Sequence, residues 1–325
     1  MIDQFGRKIE YARISVTDRC NLRCRYCMPA EGVMKTASVE IFSIKEILCV
    51  SKILSWLGIR KIRLTGGEPL LRKNLSLLIR RLKALPGIER VTLTTNGVLL
   101  KTCAAELISA GLDGINLSLD TLDEKIFTDL TRRKLFANVY DGLQTLLEAN
   151  LSVKLNCVPL RGVNDSELVK LAALAKDKPV KVRFIELMPI GCAFESGLRS
   201  VPSAELFAIL EKQFGQLIPV SERNALQGPA QYFQPKNFIG QIGFIDALEH
   251  KFCSACNRIR LTAEGFLKPC LSFDTGLDIK KLLRAGVSES ELAEKVRETI
   301  YRKPREHLFQ LGIRNEELGM YRIGG

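Results

Sequence analysis

The sequence predicts an α/β fold built around a parallel sheet, either open or curled into a partial barrel, with a second module after it. Three observations carry this: short β-rich runs alternate with amphipathic segments, the runs recur at the spacing of βα units, and polar residues alternate along them. The first run, ARISV at 12–16, precedes a long loop and a helix that begins near Ser43. KIRLT at 61–65 is followed by a helical pattern at 74–85, and VTLTT at 91–95 by one at 104–110. INLSLD at 115–120 leads to a helix at 138–149, VKLNCV at 153–158 to one at 165–176, and KVRFIEL at 181–187 closes the series. Parallel neighbours need a long crossover, usually a helix, and these connectors supply it. After about Pro219 the rhythm stops. GPAQYFQPKNFIGQIGFI, a cysteine cluster and helical stretches at 279–285 and 290–302 follow, so 1–220 is expected to form the core and 221–325 a second module.

The polar residues fall at every second position: Arg13, Ser15 and Thr17; Arg63 and Thr65; Thr92, Thr94 and Asn96; Asn116, Ser118 and Asp120; Lys154 and Asn156. Each set therefore shares one face of its strand. A parallel sheet covered by helices is apolar on both faces, so a polar face points to an inner wall lining a cavity. A half-solvated antiparallel sheet would alternate in the same way, but the helical connectors disfavour it. Several of these residues lie toward strand C-terminal ends, where α/β barrels place their active sites.

Composition narrows the function. At 325 residues the chain is long enough for about two domains. No apolar run approaches the ~20 residues of a membrane span, and MIDQFGRKIE lacks the apolar region of a secretory signal. A cytoplasmic enzyme is expected, or an organellar one if a transit peptide has been removed. Lys and Arg exceed Asp and Glu by 48 to 36, a net +12 that suits an anionic partner. No RNA- or DNA-binding signature accompanies it, so a phosphorylated small molecule is favoured over nucleic acid or a membrane. Ten cysteines in such a chain point to metal or redox chemistry rather than disulfides, and two histidines, His250 and His307, exclude sites built on several.

Cys20, Cys24 and Cys27 form CNLRCRYC in the loop after the first strand. Three thiolates at this spacing can hold three irons of a [4Fe–4S] cluster and leave the fourth open to chemistry. Structural zinc wants four ligands, and no fourth stands nearby in the sequence. Cys253, Cys256 and Cys270 make a second set within KFCSACNRIRLTAEGFLKPCL. Its spacing alone allows either zinc, with His250 as a fourth ligand, or a second cluster. Arg258 and Arg260 alternate in NRIR beside it and would present two guanidiniums suited to phosphate or a purine edge, a decoration structural zinc does not need.

The C-x3-C-x2-C run with Tyr26 before its last cysteine resembles the signature of the radical S-adenosylmethionine enzymes, and GGEP at 66–69 resembles their second signature. TTNG at 94–97, LSLD at 117–120, ELMP at 186–189, CSACNRIRLT and the terminal Gly324 and Gly325 extend the resemblance over nearly the whole chain, to the radical-SAM GTP 3′,8-cyclases that begin molybdenum cofactor biosynthesis. That resemblance implies an incomplete (β/α)6 TIM-like barrel of the radical-SAM type with a C-terminal module carrying a second iron–sulfur cluster. The implied cofactors are two [4Fe–4S] clusters, on Cys20, Cys24 and Cys27 and on Cys253, Cys256 and Cys270, and S-adenosylmethionine held by Tyr26, Gly67, Ser118 and Met188. GTP is expected on Arg13, Arg63, Thr94, Lys154, Arg258, Ile259 and Arg260, with Arg183, Gly324 and Gly325 in support of catalysis. In the family a 5′-deoxyadenosyl radical takes the ribose 3′ hydrogen of GTP, the ribose radical closes onto C8, and one-electron reduction with protonation of the cyclised radical then yields (8S)-3′,8-cyclo-7,8-dihydroguanosine 5′-triphosphate. Implied partners are a reductant for the cluster and, downstream, cyclic pyranopterin monophosphate synthase; a homodimer stays open. Cys49, Cys103, Cys157 and Cys192 match no ligand position, and Cys192 lies beside ELMP. The alternatives are a peptide-modifying radical-SAM enzyme with an auxiliary cluster and a basic zinc protein that binds RNA. The cationic strand positions suit GTP better than a peptide, and the zinc reading leaves GGEP and the polar strand faces unexplained.

Overall fold

The structure, a computed structural model, describes residues 1–325 apart from 34, 35, 38, 150, 222–225, 227, 310–318 and 325. β1 (Tyr11–Ser15) runs into the cysteine loop and then α1 (Ile44–Trp56). A reciprocal cap starts that helix: Glu46 N donates to Ser43 Oγ at 3.2 Å, and Ser43 N donates to Glu46 Oε2 at 2.6 Å. There follow β2 (Lys61–Thr65), α2 (Leu75–Lys83), β3 (Arg90–Thr95), α3 (Leu100–Ser109), β4 (Gly114–Ser118), α4 (Glu124–Thr131), α5 (Phe136–Glu148), β5 (Ser152–Cys157), α6 (Leu168–Asp177) and β6 (Lys181–Ile185). Beyond them come α7 (Cys192–Glu195), α8 (Ser203–Phe214), β7 (Leu217–Pro219), β8 (Gln231–Pro235), β9 (Gln241–Ile245), β10 (Arg258–Leu261), β11 (Phe266–Lys268) and β12 (Leu277–Asp278). The chain continues through α9 (Ile279–Arg284), α10 (Glu289–Tyr301) and α11 (Met320–Ile323).

One sheet holds all of these strands, in the order β12-β11-β10-β1-β2-β3-β4-β5-β6-β9-β8-β7. β1 to β6 are neighbours in chain order and parallel, which excludes the antiparallel explanation of their polar alternation. The incomplete (β/α)6 barrel is therefore present, and the C-terminal third lengthens it at both ends. β10 joins β1 and β9 joins β6, both in parallel, while β7, β8, β11 and β12 are antiparallel. A flat sheet would set β2 and β6 four strand spacings, about 19 Å, apart. Yet Arg63 on β2 and Arg183 on β6 face each other closely enough for the one to depress the other's proton affinity, so the sheet curls.

The alternation in each strand sorts its side chains between two environments. Ile14, Leu64, Leu93, Leu117, Leu155 and Phe184 face the helices and are buried in one apolar core with Ile47, Leu78 and Leu171. The sequence patterns predict neither α4 nor α8. α4 is only eight residues long, too short for a period to show, and depends on its cap: Ile126 N donates to Asp123 Oδ1 at 2.8 Å. α8 buries Leu206 and Leu210 one turn apart, but it lies beyond the last expected strand, where the βα rhythm is no longer readable.

Candidate active site

The first cysteine loop is clamped onto the GGEP turn by backbone bonds. Val16 N donates to Thr65 O at 2.9 Å, Gly67 N to Thr17 O at 2.8 Å and Glu68 N to Arg19 O at 2.7 Å. A Cβ at Gly67 would stand 2.3 Å from Arg19 O, so this approach requires glycine. On its other side the loop hangs from the end of α4, with Arg23 N donating to Thr131 O at 2.9 Å and Arg25 N to Leu130 O at 3.0 Å. Cys20, Cys24 and Cys27 line the same cavity as Tyr26, Gly67, Ser118 and Met188, which brings the expected S-adenosylmethionine residues to the three thiols. Burial pushes the Cys20 thiol up to about 11 and Cys27 to about 12, and burial, then Cys27, Asp120 and Cys20, holds Cys24 well above the usual thiol range. Three buried thiols that oppose each other's ionisation become stable thiolates only when a shared cation takes up the charge. Tyr26 is held in place by Asp120: its Oη donates to Oδ2 at 2.7 Å, while Val158 N donates to Oδ1 at 2.8 Å.

The second trio lines the same cavity. Cys253 and Cys256 flank a tight turn ahead of β10, and Cys270 follows β11. Burial alone would raise Cys256, but Lys303 and Arg258 outweigh it and bring the thiol down to about 6. Lys303 is itself buried and donates to Arg258 O at 3.0 Å and to Pro269 O. The zinc alternative needed His250 as a ligand. Its side chain is 69% exposed, it faces Asp246, and it is absent from the cavity wall. The histidine on the wall is His307, whose Nε2 lies 2.6 Å from Ala247 O. Six free thiols in two trios line one cavity, a donor set that suits iron–sulfur clusters.

Between the trios stands a wall of cations set by strand register. Arg13 pairs with Arg63 across β1 and β2 and with Arg260 across β1 and β10, while Tyr11 pairs with Lys61 and Arg258. Arg183 donates from Nε to Asn156 Oδ1 at 2.9 Å and from Nη2 to Asn116 Oδ1 at 2.6 Å. Burial brings Arg260 down to about 10 and Lys61 to about 8, and it holds Arg13 well below the usual guanidinium range. The same burial, reinforced by Arg183, Lys61 and Arg63, brings Lys154 down to about 6. Tyr11 is lowered as well, but against its burial: burial would raise its phenol, and Arg63, Lys61, Arg13 and Arg258 bring it down to about 8. Arg63 Nε, Thr94 Oγ1 and Tyr11 Oη are buried without hydrogen-bond partners. A polyanion in the cavity would relieve the mutual repulsion and satisfy these atoms.

Most of the residues expected from the sequence meet at this cavity, including Arg13, Arg63, Thr94, Arg183, Arg258 and Arg260. Lys154 stands among the same cations but outside the cavity lining. The Ile259 side chain packs in the hydrophobic core between its two arginine neighbours, so only its backbone is near the site. Gly324 is gripped by Arg260 Nη1 through its carbonyl and lies against Thr65, where a Cβ would come within 2.3 Å of Cγ2. Gly325 is outside the described residues. Sequence reading missed Tyr11, Lys303 and His307 on the cavity wall, and Lys61, which stands outside the lining beside Tyr11 with its Nζ donating to Leu226 O at 2.8 Å. Lys61 was within reach, since it precedes Arg63 by two and continues the same face; Lys303 and His307 carry no local signal.

Residues 14–175 match the family model of the radical SAM superfamily, and 180–309 match that of Molybdenum Cofactor Synthesis C. A Moorella thermoacetica protein named GTP 3′,8-cyclase is 46% identical over 326 residues, covering 100% of both chains. A Clostridium perfringens protein of the same name is 41% identical over 326 residues, again covering 100% of both. Among solved structures, Streptococcus suis SuiB bound to the precursor peptide SuiA superposes with a TM-score of 0.61 over 90% of this chain and 66% of that one, at 16% identity, a likeness of fold alone. The superfamily match over the barrel and the full-length identity beyond it place the chain in the GTP 3′,8-cyclase family of radical SAM enzymes.

Proposed function

We propose that this cavity binds GTP and S-adenosylmethionine side by side and converts GTP to (8S)-3′,8-cyclo-7,8-dihydroguanosine 5′-triphosphate, the first step of molybdenum cofactor biosynthesis. The observation that carries this is the single cavity with one cysteine trio toward each end and a cationic wall between them. Cys20, Cys24 and Cys27 hold one [4Fe–4S] cluster and Cys253, Cys256 and Cys270 a second. With S-adenosylmethionine bound, the first cluster supplies a hydrogen-abstracting carbon radical from a one-electron reductant. Everything else falls to the chain's own residues. Tyr26, fixed by Asp120, together with Gly67, Ser118 and Met188, positions S-adenosylmethionine. Arg13, Arg63, Lys154, Arg258 and Arg260, joined by Lys61, neutralise the triphosphate and fix the register of the ribose. Thr94 and the backbone at Ile259 add polar contacts, and Arg183 is held toward the same space by Asn116 and Asn156. Gly324 lies against Thr65 with its carbonyl held by Arg260 and supports catalysis from there. The product requires an enzyme that rearranges the cyclised nucleotide, the role of cyclic pyranopterin monophosphate synthase. No described helix is long and apolar enough to cross a membrane, and we place the reaction in the cytoplasm.

The test is an anaerobic iron and sulfide count on the wild type and on a Cys253→Ala, Cys256→Ala, Cys270→Ala triple variant, each then given S-adenosylmethionine, reductant and GTP. About eight irons falling to about four, with GTP consumed by the wild type alone, is the expected result. Four irons with zinc in the wild type would overturn the second cluster, and S-adenosylmethionine cleavage without GTP turnover would overturn the substrate.

A further inference from the structure

Asn96, the third residue of the TTNG run, lies just past β3, and its side chain bridges to the first cysteine loop. Its Oδ1 accepts a hydrogen bond from Val98 N at 3.1 Å, a local turn bond that distinguishes the two ends of the amide. The amide nitrogen therefore faces the loop, where Nδ2 donates to Asn21 Oδ1 at 2.7 Å and to Cys20 Sγ at 3.7 Å. The backbone of Asn96 is pinned from the other side by the GGEP carboxylate. Asn96 N donates to Glu68 Oε2 at 2.7 Å, and Thr95 Oγ1 donates to Glu68 Oε1 at 2.7 Å. Leu70 N donates to Glu68 Oε1 at 2.9 Å, so this wholly buried carboxylate accepts three hydrogen bonds and cannot swing away. Leu22 N is the other donor on Cys20, at 3.4 Å from Sγ.

We propose that Asn96 is a positioning residue for the first cluster, its amide hydrogen-bonding the Cys20 thiolate and thereby making the cluster easier to reduce. The proposal rests on the reading of Cys20, Cys24 and Cys27 as cluster ligands. Adding an electron makes the cluster sulfurs more negative, so a donor aimed at one of them stabilises the reduced state more than the oxidised one. Glu68 has a share in this that its place in GGEP does not suggest: it fixes the turn from which Asn96 reaches the sulfur.

The experiment uses the full-length chain with Cys253, Cys256 and Cys270 replaced by alanine, so that one cluster titrates, and reads its midpoint potential by electron paramagnetic resonance. Asn96→Ser keeps an oxygen for Val98 N but is too short to reach Cys20, and Asn96→Ala removes both contacts. Asn21→Ala removes the neighbouring acceptor and leaves the donor to sulfur intact. Both Asn96 variants are expected to retain about four irons and to shift the reduction equilibrium about tenfold toward the oxidised cluster, 59 mV for a one-electron couple. Asn21→Ala is expected to leave the potential in place. An unchanged potential in Asn96→Ser would overturn the inference, as would an equal shift in Asn21→Ala, which would trace the effect to loop packing. An iron count near zero in the unsubstituted background would instead overturn the cluster reading itself.

Discussion

Lys154 shows how a single side chain can be unfavourable for the fold and yet serve the ligand in the proposed function. Its ammonium is buried among Arg183, Lys61, Arg63 and Lys181, and burial, then these cations, lower its proton affinity to about 6 from the usual 10.5. Between those two values the unfolded chain holds a proton at Lys154 that the folded chain has released, so stability rises with pH across that window. Below about 6 the cost of the buried cation is present in full. Lys154→Met is therefore expected to raise the Tm of the substrate-free protein at pH 7 and to flatten its rise toward pH 10, measured by thermal denaturation. In the proposed function the same variant loses a triphosphate contact, and its KM for GTP is expected to rise about tenfold or more. A fall in Tm with unchanged KM would place Lys154 in an ordinary structural role. The same residue marks the limit of sequence reading at this scale. Its strand position is visible in VKLNCV, but the cations that perturb it are not local: Lys181 and Arg183 stand on the adjacent β6, and Lys61 and Arg63 on β2 reach it only because the sheet curls.

At the level of elements, the second cysteine loop depends on a side chain from the opposite end of the chain. Arg7 is buried, pairs with Asp3 at 2.6 Å and donates to Cys253 O at 2.9 Å, Pro304 O at 2.7 Å and Arg305 O at 2.9 Å. One guanidinium thus ties the segment before β1 to the second cysteine loop and to the stretch after α10 that supplies Lys303 and His307. Arg7→Ala leaves Asp3 buried without its partner and several carbonyls without a donor, at an expected cost of about 3 kcal/mol in denaturant unfolding. Iron is expected to fall preferentially from the second site, which the triple cysteine variant as background would distinguish: there the count should stay near four. This tie has no counterpart in local sequence, because Arg7 and Cys253 are 246 positions apart. The helices are the opposite case. Ser43 and Glu46 are three residues apart, so the reciprocal cap that starts α1 is a local feature, and the sequence places the helix start near Ser43.

For the whole molecule, the common cavity ties the fates of the two trios to exposure. Each trio leaves one iron without a protein ligand in the proposed holoenzyme, and both sites open to the same space. Brief handling in air is expected to lower iron from about eight per chain toward zero and to abolish GTP turnover together; full activity after aerobic purification would contradict the proposed cofactors. Chemistry that depends on close spacing was legible in the sequence alone: the first trio lies within eight residues of one loop, GGEP directly follows a strand, and Arg258 and Arg260 alternate on another. The six parallel strands and their polar inner face were legible too, because a period of two and a helical connector are local properties. Only the tertiary structure joined β10 to β1 and β9 to β6, placed His307 rather than His250 on the wall, turned Ile259 into the core and set Gly324 against Thr65. The sequence by itself determined which groups can hold metal, sulfonium and phosphate; the curl of the sheet decided which of them share one space, because side chains dozens to hundreds of residues apart meet only when non-local strand pairing closes the wall.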